Sequence, residues 1–418
     1  PLVYVDLILN AGKWTEPDGA TGLASVTLAM LSEGAAGMDA AALSVAQRRL
    51  GASISAGAGT DSATIRMSTL SRTLAPSLDL LQKIALEPEF PEDSWAILQK
   101  KRIQDLQASR QTPDAVAARI WAHVNYGDQY RGKLSSEAQY EAMTTDGMRA
   151  WYQASVRPEN AILLVGGDTT LDEVRPLLEA RFGSWSANGD APAVPTPTAP
   201  SAAPSTRIYL HAIDGAPQSV IRIGGFVNPQ VAPDRPALAL ANQAWGGQFS
   251  ARLNMNLREK EGWTYGARAG IADNQLPGLW QASASVMATA TDDAVIRILE
   301  LLDQSRSDAP ITEAELDYVR TGLLGSWPLD FEQPGHLLGE HSSMWRYGLP
   351  DDWITGYPDR LRAVTVDAAN AAWKAHIPRE NLTIVIVGDP DELKPGIEAL
   401  GLPIIEVDGD GKVLKKTP

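Results

Sequence analysis

The chain has 418 residues, 44% of them hydrophobic and 21% charged, enough to bury a large core and to form two or three domains. A net charge of −15 argues against a groove that tracks nucleic-acid phosphates, and no apolar run approaches the roughly 18 residues of a membrane span. Cysteine is absent, which excludes disulfides, thiolate zinc and cysteine nucleophiles but fits either redox compartment.

Residues 2–9 read as an apolar strand with neither an initiator Met nor a basic leader, as if a domain were entered midway. Helices are expected near 22–33 and 39–50, the second stopped by Gly51 as a C-terminal cap. A strand region at 53–67 follows, then long helices at 93–108 and 114–124. The segment from Trp151 to Asn160 reads as a helix with a proline-containing stop, and 161–165 as a buried strand; Gly167 and Asp168 lead into a helix at 171–182.

Residues 187–205 carry Pro192, Pro195, Pro197, Pro200 and Pro204 among Ala, Ser and Thr, the composition of an extended tether. This tether divides the chain into domains at 1–186 and 206–418. The halves share an internal signature. Trp151 to Asn160, then a strand and Gly-Asp168, is repeated as Trp373 to Asn381, then a strand and Gly-Asp389. In the second half, strands are expected at 207–211 and 220–227, helices at 234–245 and 250–260 ending at Gly262, strands at 263–271 and 278–287, and helices at 291–304 and 312–325. Strands in meanders with helices grouped apart predict an α+β fold in duplicate, each half an antiparallel-rich sheet with helices packed on one face.

The five histidines, at 123, 211, 336, 341 and 376, give no metal-ligand spacing. His336 and His341 are five apart, about 140° round a helix, and diverge. No Walker loop or nucleophile elbow occurs. Gly246-Gly247 lacks phosphate-loop spacing and is expected to let two helices approach closely. The twelve tryptophans are scattered, which favours packing roles over an aromatic cage. The most informative stretch runs from Trp245 to Asn254 and from Leu257 to Gly266. It places Arg258 late in a helix and Tyr265 at the start of a strand, with Gly262 between them. The turn could bring guanidinium and phenol toward one point, a pair suited to gripping a carbonyl and stabilising an oxyanion. On spacing alone the favoured reading is structural, with Arg258 balancing a helix dipole and Tyr265 a strand residue.

That stretch resembles the second half of the insulinase/pitrilysin-type zinc peptidases, which include the mitochondrial processing peptidases. The family pattern, roughly Gly-Gly-x-x-Ser-x-Arg-Leu followed by Arg-Glu-Lys-x-Gly-x-x-Tyr, is met in full by residues 246–253 and 258–265. The likeness extends over both halves and the linker. It implies a His-x-x-Glu-His motif on the first helix, with a further acidic ligand about 76 residues on. Here Ser25 and Ala29 stand for the histidines and Leu28 for the general base, leaving Asp105 as a relic of the last ligand. The resemblance therefore implies no cofactor in this chain and no activity alone. It implies catalytic roles for Arg258 and Tyr265 at the zinc site of a homologous partner subunit, in a chamber between halves, with peptides as substrates. A non-enzymatic scaffold or peptide-holding subunit is the alternative. Neither nucleic acid nor a membrane span is expected. The periplasm is the expected location, with the cytoplasm as alternative.

Overall fold

The computed structural model describes residues 1–187, 205–227, 232–272 and 278–417. Except at its two ends, the expected tether at 187–205 lies outside these residues. The chain forms two compact units that are not contiguous in sequence. The first comprises 1–107, 133–196 and 330–346; the second comprises 108–132, 197–329 and 347–418. Each unit is an α+β assembly on an antiparallel-rich sheet.

In the first unit, Leu2–Leu9 lies between Ala161–Gly167 and Ala63–Leu70, antiparallel to both, and Ser53–Ala58 forms the edge. The run expected at 53–67 is therefore a hairpin, its strands paired from Ser53↔Ser68 to Ala58↔Ala63 and its turn closed by the Gly59 amide donating to the Ser62 carbonyl at 2.8 Å. Helix Ala40–Leu50 is capped by the Asp39 carboxylate, which accepts from the Ala42 amide, and ends at Gly51 with φ 63°. The core packs Val5, Leu7 and Ile65 of the sheet with Val26, Leu28 and Leu81 of the helices, all at most 1% exposed.

The second unit repeats this connectivity. Thr383–Gly388, Gln218–Val227, Gly278–Met287 and Thr264–Ile271 stand in the same order as Ala161–Gly167, Leu2–Leu9, Ala63–Leu70 and Ser53–Ala58. Arg207–Ala212, Ile404–Val407 and Val413–Thr417 extend the sheet to seven strands, two of whose pairings are parallel. Every residue of Thr383–Gly388 is buried, and alternation explains how. Ile384 and Ile386 enter the main core, whereas Val385 and Val387 meet Val116, Ala117, Ile120 and Trp121 of helix Pro113–Tyr126. That helix comes from the first half of the sequence and belongs to the second unit. Arg119 bonds Asp410 at 2.6 Å and Asp114 bonds Arg222 at 2.8 Å, fixing it at its middle and its N-terminal end.

Three tryptophans form the centre of the main core. Trp245, Trp280 and Trp373 are fully buried, with ring centroids 5.4–5.9 Å apart. Their indole N–H groups donate to the Leu301 carbonyl, Asn242 Oδ1 and Ser305 Oγ. Each polar edge is satisfied, so the cluster is packing rather than a cage. Gly246 makes its close approach to a strand, not to a second helix. A Cβ there would lie 2.6 Å from the Ala269 Cβ.

Candidate functional site

The Arg258/Tyr265 corner is built where helix turns into edge strand. Arg252–Asn254 is a single α-turn, continued by the π-helical stretch Met255–Lys260. One residue more per turn rotates the side chains beyond it, and such bulges gather at functional sites. The Gly262 amide donates to the Arg258 carbonyl at 3.1 Å and Trp263 to Leu257 at 3.0 Å, and Gly262 itself, at φ 70°, reverses the chain.

Strand Thr264–Ile271 then begins with a bulge. Thr264 pairs with Val286 and Ala267 with Ala284, so Tyr265 and Gly266 share the space opposite Ser285. Thr264 Oγ1 accepts from the Gly266 amide at 3.1 Å and donates to the Ser285 carbonyl at 2.6 Å, stabilising it. The inward–outward alternation breaks here, and Tyr265 stands 88% exposed between buried Thr264 and Ala267. Among the described residues its hydroxyl has no hydrogen-bond partner. Arg258 is partly exposed; its guanidinium lies 4.7 Å from the Phe249 ring centre and 3.3 Å from the Glu259 carboxylate. The side chains of Arg258 and Tyr265 thus flank one glycine turn, and neither is consumed by an interaction with the other.

Two motif residues have different work. Arg252 grips Glu315 through Nε at 2.5 Å and through Nη2, which also donates to the Pro310 carbonyl at 2.7 Å. It anchors the start of helix Glu313–Asp330, because Glu315 also accepts from the Thr312 amide. Asn254 is fully buried; Oδ1 accepts from the Ala267 amide at 3.0 Å and Nδ2 donates to the Phe249 carbonyl at 2.7 Å. Sequence reasoning passed over both. An Asn inside an otherwise apolar helical stripe (Leu253, Leu257) was the available signal.

In the first unit, Ser25, Leu28 and Ala29 lie on helix Leu23–Met30. Leu28 is in the core and only Ser25 offers an oxygen. Asp105, on helix Glu92–Ser109, is bonded to Lys101 one turn away at 2.8 Å. A donor set of one hydroxyl, one methyl, one leucine and a lysine-paired carboxylate does not fit zinc. Among the described residues no three His, Asp or Glu side chains gather as a metal site requires. Glu16 sits at the start of this helix, its carboxylate accepting from the Gly22 and Ala24 amides at 2.9–3.1 Å. Burial pushes its pKa up to about 7 against the pull of those amides and of Lys13 and Lys133. Exposed His336 and half-buried Glu340 are 3.9 Å apart on helix Pro334–Tyr347.

Comparisons with known proteins bear on this geometry. Residues 142–323 match the family model described as the Peptidase M16 inactive domain. Over 265 residues the chain is 22% identical to an uncharacterized zinc protease of Mycobacterium tuberculosis, covering 63% of this chain and 60% of that protein. A similar protein of Streptomyces coelicolor is 24% identical over 282 residues, with the same coverage. The match thus spans about 60% of the length of these curated relatives. Among solved structures, a peptidase M16 inactive domain from Pseudomonas fluorescens superposes with a TM-score of 0.86 at 25% identity, covering 93% of both chains. The periplasmic protease PqqL from Escherichia coli shares the fold, with a TM-score of 0.81 at 17% identity over 93% of this chain and 43% of that one. No helix among the described residues is long and apolar enough to cross a membrane. The chain thus has the duplicated topology of solved M16-type peptidases, matches their inactive-domain model over residues 142–323, and carries no His-x-x-Glu-His sequence.

Proposed function

We propose that the chain is the non-zinc-binding subunit of a heterodimeric metallopeptidase that cleaves peptides. The observation that carries this is Tyr265. A tyrosine 88% exposed on a bulge, its hydroxyl without a hydrogen-bond partner among the described residues, contributes little to the core and costs the fold apolar exposure. Its neutral O–H is a donor suited to an oxyanion that develops as a peptide carbonyl is attacked. Arg258, braced by the Phe249 face, presents its remaining donors to a substrate backbone carbonyl. The metal and the water-activating base come from a homologous partner carrying His-x-x-Glu-His, because the residues at Ser25, Leu28, Ala29 and Asp105 supply neither. The periplasm suits this reading, since one protease of the same fold is periplasmic.

Reconstitution tests it. Mixed with such a homologue, the chain should restore peptide cleavage that neither subunit shows alone. A second reading, a peptide-holding scaffold, is favoured by the inactive-domain match. A stable pair whose activity ignores Tyr265→Phe and Arg258→Ala would decide for it.

A further inference from the structure

The duplication supplies an internal control for Asn254. In both halves a helix ends at a glycine with positive φ and an edge strand follows, Gly51 before Ser53 and Gly262 before Thr264. The backbone bonds of the two turns set the alignment: Ala52 donates to Gln47 and Trp263 to Leu257, so the π-helical stretch shifts the count by one, and Asn254 corresponds to Ser44 while Leu253 corresponds to Leu43. Leu43 and Leu253 are both in the core, but Ser44 is only half-buried whereas Asn254 is 0% exposed, so the second half buries an amide where the first places a small hydroxyl near the surface. An amide at such a place costs desolvation unless its bonds serve something. Those bonds reach the two supports of the site. Nδ2 holds the carbonyl of Phe249, whose ring lies against Arg258, and Oδ1 holds the amide of Ala267, two residues past Tyr265 on the same strand.

We propose that Asn254 is a positioning residue that locks the spacing of Arg258 and Tyr265 by bridging the loop at Phe249 to the strand at Ala267. This rests on the peptidase reading of that pair. Asn254→Leu keeps the side chain's branching and rough length, but leaves the Phe249 carbonyl and the Ala267 amide without their partner. Asn254→Asp keeps the acceptor for Ala267 and sets a carboxylate against the Phe249 carbonyl, releasing the Arg258 side alone.

The experiment is steady-state kinetics of the reconstituted zinc-partner complex on one peptide, with hydrogen exchange of the 263–271 segment in the isolated chain. Asn254→Leu should lower kcat/KM at least tenfold in the wild-type background and less than threefold when Tyr265 is already Phe. Asn254→Asp should act mainly on KM. Exchange in 263–271 should quicken in the Leu variant while the melting transition stays cooperative. Equal losses in both backgrounds would reduce Asn254 to a structural residue and overturn the proposal. So would full activity of Asn254→Leu in a complex that Tyr265→Phe impairs. A complex indifferent to Tyr265→Phe and Arg258→Ala would instead overturn the peptidase reading, and this proposal with it. If the Leu variant fails to fold, the Asp variant decides by the same KM criterion.

Discussion

Tyr265 and Arg258 are predicted to fail differently when changed. Tyr265→Phe removes one hydrogen-bond donor and leaves the ring, so kcat of the reconstituted complex should fall about 10²- to 10³-fold with KM little altered. Arg258→Ala should raise KM as well, since the guanidinium is assigned to the bound backbone, and Arg258→Lys should recover only part because an ammonium lacks the planar fork. Neither residue is buried, so both variants should assemble normally, as gel filtration would check. Glu16 gives a prediction independent of any partner. Its folded pKa, about 7, lies above the 4.5 of an unperturbed Glu, so the folded state holds the proton more tightly than the unfolded chain. The stability it contributes is full below pH 4.5 and is lost as pH rises through 7, up to about 3 kcal/mol. Denaturant titrations of wild type and Glu16→Gln should therefore diverge between pH 5 and pH 8, with the variant gaining on wild type as pH rises. The turn at Gly262 between helix and strand was legible from the residues, whereas the roles given to Arg258 and Tyr265 came from the family pattern and not from their spacing. Glu16 was not legible, since burial of one carboxylate among many leaves no trace in composition.

Among the elements, the helix–turn–strand corner carries the largest gap between what was expected and what forms. Regular helices at 234–245 and 250–260 were expected. The chain instead makes Arg235–Asn242 and Arg252–Asn254, each passing into a π-helical turn, and then a bulged strand. A single extra residue in a turn or a strand does not disturb an apolar periodicity read over ten or more positions, so it is invisible to that reading. Its consequence is large, because it decides where side chains point. Gly246 offers a test. Gly246→Ala would place a methyl group 2.6 Å from Ala269, and overpacking of this kind costs about 1–3 kcal/mol. Because Ala269 lies on the strand that carries Tyr265, the complex should also lose activity, whereas an Ala at exposed Gly325, with nothing within 4 Å of its Cβ, should change neither melting nor cleavage.

For the whole molecule, the duplication and the α+β class were legible, since the Trp-to-Asn signature recurs in order and the two sheets do share one connectivity. The exchange of segments was not. Helix Pro113–Tyr126 has an amphipathic face, and nothing in a face says which sheet it will cover. At this scale the peptidase reading predicts assembly. Light scattering on material isolated with its partner should give about twice the mass of the single chain, with an interface above about 1,000 Å². The purified chain alone should bind less than stoichiometric zinc by elemental analysis and cleave no peptide; one tightly held zinc per chain would sink the assignment of the metal to the partner.

The placement of helix Pro113–Tyr126 also sets a timetable. Its apolar side, Val116, Ile120 and Trp121, rests on Val385 and Val387, which are synthesised about 260 residues later. At roughly 5–20 residues per second a ribosome needs on the order of 10–50 s to deliver them. During that interval the helix can meet Val220 and Leu279 but lacks Val385 and Val387, and the second sheet lacks the strand between Arg207–Ala212 and Gln218–Val227. The nascent first half is thus an obligate waiting state, exposed to chaperones and proteases alike. Substitutions such as Trp121→Ala should lower the yield of folded chain in a cell more than the stability of the chain that has once folded.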